Sequence, residues 1–129
     1  MAGMAIGCAT GIGGQRESAM EEISSANKIL GAMAKSGAFD KTEASEQAEL
    51  IASKLETFKN LFPEGSQNAD GAADAAIWTD RTGFETVRMT ARDAALKVAA
   101  ADDAASFASA YSTLSTACGS CHSKYRVDY

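Results

Sequence analysis

Between Arg16 and Lys35 the positions Met20, Ile23, Asn27, Leu30 and Ala34 recur at alternating steps of three and four. That period predicts one helix with one buried stripe. Lys35-Ser36-Gly37 closes it with a cation in the last turn and a glycine beyond, and Asp40 followed by Glu43 reads as a capping box opening a second helix near Lys41. Ala44, Ala48, Ile51, Leu55, Phe58 and Phe62 keep the same rhythm until Pro63-Glu64-Gly65 stops it. Gly, Asn, Asp and Ser dominate from Pro63 to Asp74, a long connection that has to wrap across a bundle rather than turn tightly. A third helix is expected from about Asp74 to Ala101 through Ile77, Phe84, Val87, Ala91, Ala94 and Val98. Gly83 weakens it locally by about 1 kcal/mol relative to Ala. Asp102-Asp103 then caps a fourth helix with Phe107, Ala110, Leu114, Ala117 and Cys121 facing inward.

Four amphipathic helices, joined by one long and two short connections, predict an all-α fold: an antiparallel four-helix bundle over residues 15–129. Residues 1–14 are small and apolar but lack the basic start and full apolar core of a secretory leader, so they read as a flexible arm or a leader remnant. Ala5-Ile6-Gly7-Cys8 can also be read as a lipoprotein cleavage box, although too few residues precede it and none is positive. The plain reading of Cys8 is an unpaired thiol.

Composition narrows the function. A chain of 129 residues, 46 % hydrophobic and 22 % charged, is one ordinary globular domain, without the bias of a disordered tail. No apolar run approaches the ~20 residues that span a bilayer, so no transmembrane segment is expected. Twelve Lys and Arg against seventeen Asp and Glu leave a net charge of −5. That charge repels nucleic acid and anionic membranes and suits a basic partner.

Of three cysteines, two fall with the single histidine in Cys118-Gly119-Ser120-Cys121-His122. This C-x-x-C-H pattern reads as covalent attachment of a c-type haem. On a helix the two sulfurs stand one turn apart on one face, where each can bond a carbon at the ring edge, and His122 can lie beneath the iron as its axial ligand. Zinc would need a fourth ligand, for which only distant Cys8 remains as a soft donor. A thioredoxin-like pair belongs at a helix N-terminus in a βαβ setting, whereas this motif lies at the C-terminal end of a helix in an all-α chain. A chance cluster is the remaining alternative.

A four-helix chain with its attachment motif at the far C-terminus resembles the class II c-type cytochromes, cytochrome c' and its low-spin, methionine-ligated relatives. The resemblance runs from Arg16 to Arg126. It is carried by Arg16-Glu17-Ser18-Ala19-Met20, Leu61-Phe62-Pro63-Glu64-Gly65, Ala76-Ile77-Trp78 with Phe84, and above all Cys118 to Arg126. The segment Lys35 to Asp40 departs from it in lacking a proline. The resemblance implies one haem c inside the bundle, with His122 as fifth ligand and Met20 facing the opposite side. It places Arg16 near a haem propionate, and Arg126 beside the proximal face. A solvated cation at a helix C-terminus is an equal reading of Arg126. Trp78 and Phe84 are expected to wall the haem, a role that barely differs from that of core aromatics.

Met20 decides the function implied. If its thioether ligates iron, the centre is six-coordinate, low-spin and suited to electron transfer. If it only fills the distal side, the iron is five-coordinate and takes small uncharged gases such as NO or CO. The flexible side chain permits either. The first is favoured here: a haem c electron carrier with His122 and Met20 on iron, the gas-binding form being the alternative. No second histidine supplies a distal acid or base, so enzymatic activity is not expected. The implied setting is the bacterial periplasm, with redox proteins, basic in charge, as partners. The resemblance also allows a homodimer through the first two helices, for which Ile12 and Ala26 are expected to be exposed.

Overall fold

The computed structural model describes residues 11–127. Helices α1 (Ile12–Ser36), α2 (Lys41–Phe58), α4 (Arg81–Ala100) and α5 (Ala104–Tyr125) form an antiparallel four-helix bundle. A single 3-10 turn, Lys59–Leu61, follows α2, and a one-turn helix α3, Ala76–Thr79, precedes α4. Among the described residues there is no strand, only an isolated antiparallel bridge between Ala73 and Arg126. No helix among them is long and apolar enough to cross a membrane.

Local chemistry explains most boundaries. Gly37 ends α1 in the left-handed region at φ 76°, donating its N–H to the Met33 carbonyl. Asp40 caps α2 by accepting from the Glu43 N–H at 2.9 Å. The reciprocal half of the expected box is replaced, because the Asp40 N–H donates to Met33 Sδ at 3.5 Å. Asp103 and Ser106 form a complete capping box at the start of α5.

Three expectations need correction. Helix α1 begins at Ile12, so a boundary after Gly14 falls inside it; residues 1–10, with Cys8, lie outside the described residues. The expected third helix is broken, because Asp80 leaves helical geometry at φ −129° and ψ 56° and turns its side chain to the Gly83 N–H. Ala26 is 2 % exposed, a member of the core rather than of a surface, and Ile12 is half-buried. On α1 and α2 the exposed large apolar side chains are Ile29 and Leu50.

The core has two parts. The larger runs along the bundle through Leu30, Ile51, Val98, Phe107 and Leu114, all fully buried. The smaller sits at one end and joins Phe58, Phe62, Ile77, Phe84 and Tyr125. Helix α2 packs closely on α1 and α4, and α4 on α5, whereas α1 and α5 meet only sparsely. The bundle opens along that looser seam.

Candidate functional site

A cavity of about 610 Å³ fills the seam between α1 and α5, within the range of small-molecule and cofactor sites. Arg16, Met20 and Ile23 face it from α1, and Cys118, Cys121 and His122 from α5. Phe58, Phe62, Ile77 and Phe84 close its inner end with apolar surface. Arg126 lies at its edge, exposed, on the residue that ends α5.

Cys118 and Cys121 are free, half-buried thiols one turn apart. Burial pushes both thiol pKa values up, that of Cys121 to about 11, where the neighbouring Cys118 adds to the effect. Such thiols are protonated at neutral pH, unlike the activated thiolate of a redox pair. Burial, and then the positive charge of Arg126, lower the His122 pKa, so its imidazole is neutral and able to ligate a metal. Among the described residues no cluster of three or more His, Cys, Asp or Glu side chains is placed to hold a metal ion. Two thiols at helical spacing, one neutral imidazole and an apolar chamber fit haem c.

Met20 is half-buried and packs against both parts of the core while lining the cavity. Arg16 lines the cavity and is tied at the same time to the long loop. Only 4 % exposed, it donates to the Leu61 carbonyl at 2.8 Å, to Asp70 Oδ2 at 3.1 Å, and to the Ser66 carbonyl and Oγ at 3.1 and 2.6 Å. Its guanidinium also lies 4.4 Å from the Phe62 ring centre and 5.4 Å from that of Trp78. This residue therefore clamps the long loop onto α1. Trp78 stands behind the wall, edge-on to Phe62 at 5.7 Å, its indole N–H donating to the Pro63 carbonyl at 3.1 Å.

Some wall residues were not recognised as such from sequence. Phe58 and Phe62 look like the end of the α2 stripe, and Asp70 looks like turn chemistry in a polar loop. The aromatic concentration around Pro63 was the available signal for the first two. Nothing local marks Asp70, whose partner Arg16 is 54 residues away.

A helical bundle with a thiol pair and imidazole opening on one apolar chamber is the architecture of a haem c protein. The family model described as Cytochrome C' matches residues 13–126, and the chain belongs to that family. It binds one covalently attached haem c. Cytochrome c' of Rhodospirillum rubrum is 32 % identical over 117 residues, covering 88 % of this chain and 80 % of the relative. Cytochrome c-556 of Agrobacterium fabrum is also 32 % identical over 117 residues, covering 88 % and 79 %. The solved structure of Rhodopseudomonas palustris cytochrome c' superposes with a TM-score of 0.84 at 27 % identity, over 92 % of this chain and 98 % of that one.

Proposed function

We propose that the chain is a five-coordinate haem c protein that takes small uncharged gases such as NO or CO. In this reading Cys118 and Cys121 are the attachment thiols, His122 is the axial ligand, and Met20 walls the opposite face. Haem iron held by one histidine supplies a position for a neutral diatomic ligand. The carrying observation is that Met20 packs against both parts of the core where it lines the cavity, which supports a structural role for its side chain. The relatives named cytochrome c' agree with this better than with the Met20-ligated electron carrier favoured from sequence. Phe84 and Ile77 exclude water from the inner end, and Arg16 and Arg126, which both line the cavity, are the cations available to a propionate.

The Met20-ligated carrier is the second reading, since Met20 and His122 line one cavity and some relatives are named cytochrome c-556. Optical and EPR spectra of the reduced and oxidised holoprotein separate the two. The gas-binding reading expects a high-spin centre, a Soret shift with CO, and a Met20→Ala variant that keeps the spin state while admitting CO faster. A low-spin centre inert to CO, made high-spin by Met20→Ala, overturns it. Replacing Cys118 and Cys121 together by serine abolishes covalent haem.

The proposed compartment is the bacterial periplasm, because haem is attached to such cysteines after export. The acidic chain favours basic redox partners, and their association should weaken with salt. A second copy would dock on the α1–α2 face, where Ile29 and Leu50 are 40 % and 36 % exposed. Ile29→Glu should then lower the mass seen in sedimentation.

A further inference from the structure

His122 sits in the last turn of α5, where backbone carbonyls lose their helical partners and helices fray. That turn is nonetheless held from several directions. Tyr125 is 4 % exposed, its ring edge-on to Phe84 at 5.4 Å and its carbonyl accepting the Asp74 N–H at 3.0 Å. Its hydroxyl donates to Asp80 Oδ2 at 2.9 Å, and Lys124 Nζ donates to the same oxygen at 2.7 Å. Asp80 is itself fixed, since Oδ1 accepts the Gly83 N–H at 3.3 Å as the cap of α4.

Gly83 explains why the contact can exist. A Cβ there would stand 2.3 Å from Asp80 Oδ2 and 2.5 Å from the Tyr125 hydroxyl, so the missing side chain is the seat of that hydrogen bond. A glycine inside a helix is unfavourable without such a reason.

We infer that the Asp80–Tyr125 hydrogen bond, seated over Gly83, orients the helical turn carrying His122, making Asp80 and Tyr125 positioning residues for the axial imidazole. The inference rests on the proposed role of His122 as iron ligand. Tyr125 follows His122 by three residues, hence on the same side of the helix. A hydroxyl held by the carboxylate that caps another helix fixes the rotation of that turn, adding a side-chain anchor to the backbone bond from the Asp74 N–H.

The test uses haem-loaded full chain with Tyr125→Phe, which removes only the hydroxyl, and Gly83→Ala, which fills the seat. Resonance Raman of the reduced protein reads the iron–histidine stretch, and the reduction potential gives a readout for either coordination number. Far-UV circular dichroism and the thermal midpoint are followed in parallel. Both variants should shift and broaden the band and move the potential in the same direction at unchanged helical content. The double variant should differ little from the singles, because both remove one contact. Asp80→Asn, which keeps a capping oxygen for Gly83, is read the same way if either variant fails to load haem. Band and potential identical to those of the unmodified protein, even with a lowered thermal midpoint, overturn the inference. Failure of the His122 reading shows separately, as a potential and a haem spectrum left unaltered by His122→Gly.

Discussion

Asp70→Ala strips the counter-charge from a buried guanidinium. Arg16 and Asp70 are 4 % and 9 % exposed and meet at 3.1 Å. Removing one partner of a buried pair costs about 3–5 kcal/mol. The low end applies, near 3 kcal/mol, because Arg16 keeps Leu61, Ser66 and the faces of Phe62 and Trp78. Asp70 Oδ1 also accepts the Ala72 and Ala73 N–H groups at 2.8 and 3.0 Å, worth about 1 kcal/mol more. For a domain of this size the sum of ~4 kcal/mol lowers the thermal midpoint by roughly 15 °C. Thermal unfolding of the haem-loaded protein, followed by far-UV circular dichroism, measures it. Asp70→Asn keeps an oxygen for both N–H groups but turns an amide N–H2 toward Arg16, so it should still lose about 3 kcal/mol. A loss below about 1 kcal/mol for both variants refutes the clamp. The pH dependence has a definite sign. Burial opposes the charged form of Asp70, but the two N–H groups and Arg16 outweigh it and hold the pKa below the ordinary aspartate value. The stabilisation is therefore present above that ordinary value and is lost as pH falls through the native one, so the gap between alanine variant and parent should close in acid.

Leu114 is fully buried in the larger core, and Leu114→Ala should cost about 2–5 kcal/mol in urea unfolding, with a negligible change marking a site able to collapse. Glu56 is held at a pKa of about 2 by hydrogen bonds from Lys59 and Arg92, so its contribution should fade as pH falls from its ordinary value of 4.5 towards 2. Glu56→Gln should flatten that part of an acid titration of stability. Gly37 has open space around it but a φ of 76°, so Gly37→Ala should cost about 1 kcal/mol through backbone strain alone, and Gly37→Asn less.

The helices and their inward faces were legible because helical periodicity is local: Leu30, Ile51, Val98 and Leu114 lie on stripes that any ten-residue window displays. Asp40, Asp103 and Gly37 were legible for the same reason, since a cap acts within four residues of itself. Cys118, Cys121 and His122 were readable as one constellation because they share a single turn.

What lies between helices was decided only by folding. The commitment of Arg16 to the loop depends on Leu61, Ser66 and Asp70, at separations of 45 to 54 residues that no local pattern encodes. Asp80 looks like one more polar residue on a continuous helix, yet it breaks that helix because its carboxylate is drawn to Gly83, Lys124 and Tyr125. A small residue such as Ala26 reads equally well inside or outside from its sequence; packing of α1 on α2 buries it. Periodicity is a property of one chain segment, whereas burial, counter-charge and the width of the seam between α1 and α5 are properties of surfaces that meet only when the bundle closes.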